Sequence, residues 1–365
     1  MFINKPKKAA FGVDVSDLSL KIVQFKKNKK DLKASFFLKQ NIPKSIIEGG
    51  VIKKPEELSQ EINQMIKKAR KKSLQGDRAI CNLPEEKVFI KIIQLPKMKQ
   101  EEIDKAIKWE AEAYIPINIE DVYLSWQVID SDNKEADHLD VLVAAAPKYL
   151  VDSYVDVFYK ANLKLTALEP ESVAVTRSLL NPNNSNSYII VDLGVTASNF
   201  VIFSDGAIRF TSQISVSGDR LDQAIETKLG VSKKEARKLK IKLGLGSEDS
   251  AYKIGFDEVK KIKKQKHSAS KAMIPILEEL AEQIKDYISF YRNNKAHFSS
   301  NRIDKILLCG GDSLLKGLPE FLEKRIGCPV KKGNPLVNII KDNGIKIDKP
   351  ILYATAIGLS LREFM

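Results

Sequence analysis

Two stretches of this chain repeat one pattern. FGVDVSDLSLKIVQF at residues 11–25 and YIIVDLGVTASNFVIF at residues 188–203 each run apolar residues into an Asp, with a small residue two places on. Each then turns through hydroxyl-bearing residues and returns as a second apolar strand. Both read as β-hairpins with an acidic tip, Asp14 in the first and Asp192 in the second. A pattern echoed at such a separation marks duplicated lobes, and two acidic tips turned towards each other would clamp a phosphate.

A chain of 365 residues exceeds what one core usually serves, which agrees with two lobes. With 43% hydrophobic and 29% charged residues, it has the balance of a soluble globular protein. No apolar stretch approaches the ~18 residues that span a bilayer. The start, MFINKPKKAAFGV, has cations but no apolar run behind them, so it does not read as a signal peptide, and a cytoplasmic home is expected. Cys81, Cys309 and Cys328 have no paired spacing, and His138, His267 and His297 do not accompany them as ligands. Reduced, buried thiols are expected. The net charge of +13 is concentrated in residues 231–271, where 13 Lys or Arg face 5 Asp or Glu. Such a face can meet nucleic acid, anionic lipid or an acidic partner, or can simply be solvated.

The rest of the pattern is mixed α/β. A strand over 32–39 is followed by paired glycines at 49 and 50, then by a helix with Leu58, Ile62, Met65, Ile66 and Ala69 on one face. RAICNL at 78–83 leads into VFIKIIQL, a helix over 100–114, strands near 122–129 and 139–146, and a helix over 148–161; this block reads as an inserted module. LKLTAL is a strand, EPESVAVTRSLL the helix after it, and NPNNSNS at 181–187 a linker between lobes. Past the second hairpin, Leu221, Ala224 and Ile225 keep helical spacing. After the basic stretch a long helix carries Leu277, Leu280, Ala281, Ile284, Tyr287, Ile288 and Tyr291 on one stripe, and the two together suit a second insertion. In RIDKILLCGGDSLLKGLPEFLEKRIG a buried strand ends at Gly310 and Gly311, letting a flat ring approach the backbone, and a helix starts near Pro319. ILYATAIGLSLREF closes the chain as a short amphipathic helix on the first lobe, with Gly358 permitting close approach.

GVDVSDLSLK, VDLGVTAS and LLCGGDSLLKG, in this order, resemble the two phosphate hairpins and the adenosine motif of the actin-like ATPase superfamily. Within it, LPKMKQEEIDKAIKWEAEAYIPINIEDV at 95–122 is similar to the type IV pilus assembly PilM family, whose inserted subdomain FtsA shares. The resemblance implies an α/β, two-lobed actin-like (ribonuclease H-like) fold with an FtsA/PilM-type insertion. Subdomain 1A would take 8–84, 162–184 and 351–365; 1C would take 85–161; 2A would take 185–230 and 302–350; and 2B would take 231–301. It also implies ATP with Mg2+.

In that reading, backbone amides of the two turns face phosphate, with Ser16, Gly194, Thr196 and Ser198 around it. Asp14 and Asp192 hold magnesium through water. Gly310 and Gly311 take the adenosine. Lys21 matches the family's phosphate-facing lysine or is a solvated strand residue. Glu169 matches a water-orienting carboxylate, with Glu171 beside it, or both favour a helix N-terminus. Two departures point to weak binding that serves conformation more than turnover, so that the chain is at most a weak ATPase. Ser16 replaces the first hairpin's glycine. Ala236-Arg237-Lys238-Leu239-Lys240 replaces A-E-x-x-K, leaving Lys240 but no acceptor for ribose hydroxyls, since Glu235 faces elsewhere.

The resemblance implies a cytoplasmic scaffold of a type IV pilus or related secretion machine. It would bind the N-terminal cytoplasmic peptide of a PilN-like inner-membrane protein in a groove between the first lobe and the inserted subdomain. Trp109, Tyr114 and Ile115 are candidate walls, although Trp109 and Tyr114 also suit a helix core. Membrane attachment is then indirect, because the chain closes on ATAIGLSLREFM without the membrane-binding tail usual in FtsA. A pilus motor ATPase and further copies of the chain are other candidate partners. The alternatives are an FtsA-like cell-division protein and a sugar or small-acid kinase, for which no sugar-binding constellation stands beside a base. A nucleic-acid binder would rest on charge alone, without interleaved aromatics.

Overall fold

The alternation in the first apolar stretch decides how its strand is buried. Phe11, Val13 and Val15 point to one side of the sheet, and Ala10 and Gly12 to the other. In the computed structural model, which describes residues 9–28, 31–129, 138–182, 184, 186–245, 256–293, 302–339 and 347–365, both sides are covered by helices. The chain forms two units, one of residues 1–184, 206–211 and 334–365, the other of residues 185–205 and 212–333.

In the first unit, β1 (Phe11–Ser16) pairs antiparallel with β2 (Ser19–Asn28), and β2 with β3 (Asp31–Asn41). Two short strands, β4 (Ile47–Glu48) and β5 (Val51–Ile52), flank Gly49 and Gly50, a hairpin that the bare Gly-Gly pair did not specify. Helix α1 (Pro55–Arg70) has Pro in its first turn, Glu56 and Glu57 beside it, and cations in its last turn; it buries Leu58, Ile62, Met65, Ile66 and Ala69, the expected face. Strand β6 (Arg78–Leu83) runs parallel to β1. The inserted stretch forms β7 (Phe89–Pro96), α2 (Gln100–Glu112), β8 (Val122–Ile129) and β9 (His138–Pro147), with sheet order β7-β9-β8. Ile103, Ile107 and Ala111 of α2 share a core with Ile93, Leu95, Val122, Val141 and Val143.

Helix α3 (Lys148–Lys160), strand β10 (Lys164–Pro170) and helix α4 (Glu171–Leu179) follow, and β10 completes a sheet of order β10-β6-β1-β2-β3. Buried residues of α1 and α3, among them Tyr154 and Phe158, join Phe11, Val13, Leu20 and Ile22 in one core.

The next sheet has order β13-β12-β11-β14-β15, from β11 (Tyr188–Leu193), β12 (Ser198–Ser204), β13 (Ala207–Ile214), β14 (Lys305–Cys309) and β15 (Val330–Lys332). Helices α5 (Gly218–Leu229), α6 (Lys233–Leu243), α7 (Phe256–Asn293) and α8 (Leu318–Ile326) are interspersed, and α7 begins within the basic stretch and contains Pro275. Both sheets are mixed, each built on a hairpin whose first strand also pairs in parallel with a strand from further along the chain. This is the actin-like architecture. The expected linker at 181–187 is described only in part, and among the described residues no helix is long and apolar enough to cross a membrane.

Helix α9 (Ala354–Leu361) belongs to the first unit and differs from the expected amphipathic helix, because all eight of its residues are buried. It lies between β1 and α4, and glycine is the reason it fits. A Cβ on Gly358 would collide with the Ala174 carbonyl, and one on Gly12 with backbone atoms of Ala356 and Ser360. Gly358→Ala should therefore cost ~3 kcal/mol or abolish soluble expression, since neither backbone can yield. Gly206→Ala, at a positive-φ turn with open space around it, should cost only ~1 kcal/mol. Urea melts of the two variants check this.

Candidate functional site

Neither repeated Asp sits at its hairpin tip. Asp14 lies inside β1 opposite Lys21, and Asp192 inside β11 opposite Asn199 on one side and Cys309 on the other. The apolar run carries each strand past the Asp before the turn begins, so the turns themselves are Asp17–Leu18 and Gly194–Ala197.

In the first unit Asp14 is buried and its Oδ2 receives the Lys21 ammonium at 2.6 Å. Lys21 is thus not a solvated strand residue; its side chain is 14% exposed and spans the ladder to the Asp. Ser16 replaces glycine without backbone strain, since its φ is not positive, and its hydroxyl donates to the Ser19 carbonyl at 3.0 Å. The turn is tied to its surroundings by Asp17, whose carboxylate accepts from the Gly49 and Gly50 amides at 3.2 and 3.0 Å. Behind it stands Asn82, fully buried at the end of β6. Its Oδ1 accepts from the Val15 amide at 2.8 Å, while its Nδ2 donates to the Val15 carbonyl at 3.1 Å and to Glu171 Oε1 at 2.9 Å. Asn82 was missed in the sequence; the available signal was a polar residue in the otherwise apolar end of RAICNL.

Glu169 is at the buried end of β10, not at a helix N-terminus. It faces two guanidinium groups: Arg177 binds both carboxylate oxygens, at 2.7 and 2.9 Å, and Arg362 donates to Oε1. Glu171 does lie in the first turn of α4, within the Asn82 network.

In the second unit four motifs of the sequence meet. The carbonyls of Gly194 and Val195 accept from the amides of Gly218 and Asp219 at 2.9 and 2.8 Å, joining the second hairpin turn to the start of α5. Gly310 has φ +79, and any Cβ there would strike the Asp192 carboxylate and the Leu193 carbonyl, so the Gly-Gly turn lies directly on the second hairpin. Thr196 is exposed, Ser198 is fully buried in β12, and Gly311 is exposed next to Gly310.

Lys240 ties these parts together rather than lining an open pocket. It is 4% exposed, donates to the Gly218 carbonyl at 2.9 Å, and pairs with Asp222 at 2.9 Å and Asp312 at 2.7 Å. Burial holds the Asp312 carboxyl above its ordinary value, against the pull of Lys240.

In the inserted module, Trp109 is 80% exposed, so it is not core. Tyr114 lies just past the end of α2 with the Lys91 ammonium 3.2 Å from its ring centre. Ile115 is buried in the module's core, because the turn after α2 folds it inward. Tyr123, Tyr149 and Tyr159 are exposed aromatics that the sequence reading passed over. Among the described residues no group of three or more His, Cys, Asp or Glu could hold a metal ion. Burial pushes the Cys81 and Cys309 thiols well up, which makes them inert.

A family model described as type IV pilus assembly protein PilM matches residues 12–253, and one described as cell division protein FtsA matches residues 189–358. FtsA of Neisseria meningitidis serogroup B is 25% identical over 173 residues, 47% of this chain and 41% of that protein. The chain spans about half the length of the curated relatives it matches. A solved PilM-PilN type IV pilus biogenesis complex aligns with a TM-score of 0.78 at 22% identity, covering 98% of this chain and 99% of that one. MreB5 of Spiroplasma citri, bound to ADP, aligns with a TM-score of 0.53 at 12% identity, covering 98% and 97%.

The buried charges of the second unit give a pH test. Lys240→Met would leave Asp222 and Asp312 without their cation, at a cost of ~3–5 kcal/mol. Asp312 is an acid whose folded-state pKa is raised. Its contribution is therefore fully present at low pH and is lost as pH rises through that raised value. Removing the cation raises it further, so the loss in the variant should be larger at neutral pH than in mild acid. Denaturant melts at the two pH values check the sign.

Proposed function

This chain belongs to the type IV pilus assembly protein PilM family, and from that premise we propose that it is an actin-like, nucleotide-binding scaffold of a type IV pilus or related secretion machine. Its partner is the N-terminal cytoplasmic peptide of a PilN-like inner-membrane protein, which recruits it to the membrane indirectly. The family match over residues 12–253 carries this reading.

Nucleotide is proposed from the two hairpins and the Gly-Gly turn, and the residues suit it. In the first unit Asp14 and Lys21 are held by the ladder beside a short turn. In the second, Gly194 and Gly310 keep backbone bare next to Asp192. ATP phosphates would meet turn amides, with Mg2+ approached through water by Asp14 and Asp192. Two features favour binding over turnover. Glu169 already faces Arg177 and Arg362, which compete with any attacking water for its oxygens. Lys240 is committed to Asp222, Asp312 and the Gly218 carbonyl, which weakens its hold on a ribose.

For the peptide, the sheet of the inserted module offers the better surface. Its face away from α2 carries Ile90 and Ile92 opposite Ala144 and Leu142, all half-buried, with Tyr123 exposed beyond them. Trp109 and Tyr114 lie on the α2 side and form the second candidate. An extended segment on such a face gains affinity from apolar pockets and from the edge strands β7 and β8.

A synthetic peptide copying the N-terminus of a PilN-like protein should retain the chain on a column. Ile92→Asp should weaken retention at least tenfold, whereas Trp109→Ala should do so only if the α2 side is the seat. Calorimetry with ATP and magnesium should give weak binding that Asp14→Ala and Asp192→Ala each lower about tenfold, the scale of one lost charge-assisted contact. Submicromolar affinity or brisk phosphate release would overturn the scaffold reading, and no retention on the column would overturn the partner.

A further inference from the structure

Helix α6 buries Ala236, Leu239, Lys240 and Leu243, so its opposite face is turned to solvent. That face gathers Lys234, Arg237, Lys238 and Lys242, all exposed, around Ile241, which is 66% exposed. Lys316 adds a fifth cation at the helix end, its ammonium on the Lys242 carbonyl at 3.1 Å. Within α6 the acid available to offset them is Glu235, 3.6 Å from Lys238; Lys233 is already paired with Asp219 at 2.8 Å. An exposed isoleucine alone needs no explanation. An isoleucine at the centre of a cationic ring does.

A second basic run provides the contrast. Lys67, Lys68, Arg70, Lys71 and Lys72 are also exposed, but they surround the C-terminal end of α1, where cations offset the helix dipole, and the exposed residues among them are all polar. That run has a local explanation. On the α6 face only Lys242 lies in the last turn; Lys234, Arg237 and Lys238 lie before it, where the dipole does not call for cations.

We propose that this face of α6 lies against the anionic surface of a lipid bilayer, with its cations over headgroup phosphates and Ile241 reaching the acyl boundary. Charge alone would equally suit nucleic acid, but α6 has no aromatic on which a base could stack. An apolar tip ringed by Lys and Arg is the pattern of an interfacial helix. Each cation near an anionic leaflet strengthens binding roughly fivefold at moderate salt. The contact would add to recruitment by a membrane partner and does not depend on it.

The test uses the whole chain alone, sedimented with vesicles of phosphatidylcholine and of phosphatidylcholine mixed with phosphatidylglycerol. Wild type should bind the mixed vesicles at low salt and release them at high salt. The variant K234E/R237E/K238E/K242E should bind at least about 500-fold more weakly, and Ile241→Asp measurably so at unchanged basic charge. K67E/R70E/K71E/K72E changes the net charge equally and should bind like wild type. The proposal is overturned if that control loses as much as the α6 variant, if neutral vesicles bind equally well, or if wild type stays in solution. Capture by polyglutamate or DNA without vesicle binding would also overturn it. Retention on the peptide column should be unchanged in every variant, which separates failure here from failure of the partner assignment.

Discussion

Bare backbone at Gly12 and Gly358 lets a wholly buried helix lie against the central strand of the first unit. With any side chain at either position, α9 would stand off from β1 and α4, and the cluster that Ala10 and Ile80 form with Ala174 of α4 would lose its cover. The first hairpin depends on that cover, because β1 is buried on both faces and its register with β2 and β6 sets where Asp14, Lys21 and Asn82 meet. The C-terminal segment is held a second time by charge: Glu363 pairs with Arg78 at 2.6 Å and accepts from the Ala10 amide, while Arg362 reaches Glu169. A terminal helix and the opening strand thus fold as one unit.

The buried ion pairs fix positions more than they stabilise. Removing two charges from water costs about what their attraction returns, whereas breaking one partner of such a pair is expensive. Asp14 with Lys21 and Glu169 with Arg177 lock neighbouring elements, whereas Glu169 with Arg362 and Lys240 with Asp312 join elements distant in sequence. Their common consequence is chemical. Glu169 and Lys240 are already engaged by the protein itself.

The surface carries the remaining specificity. Exposed aromatics cluster on the inserted module and α3, and one basic helix face surrounds an exposed isoleucine. Neither is needed by a core, and each is the kind of feature that marks contact with another surface.

The sequence by itself determined most of the strands, the major helices and the repeated hairpins, but not the short β4–β5 hairpin or β15. Apolar alternation and helical spacing are local, and every buried residue of α1 proposed for its inner face is found there. It also determined the family, since WEAEAYIP and three ordered glycine and Asp motifs are short, contiguous signals. Only the tertiary structure decided what the polar residues do. Asn82 bridging Val15 and Glu171, Glu169 beside two arginines, Lys240 out of solvent and Ile115 within a core all depend on partners from distant parts of the chain. Periodicity reports which side of an element faces inward. Which group waits on the other side is fixed by packing, and no local pattern encodes it.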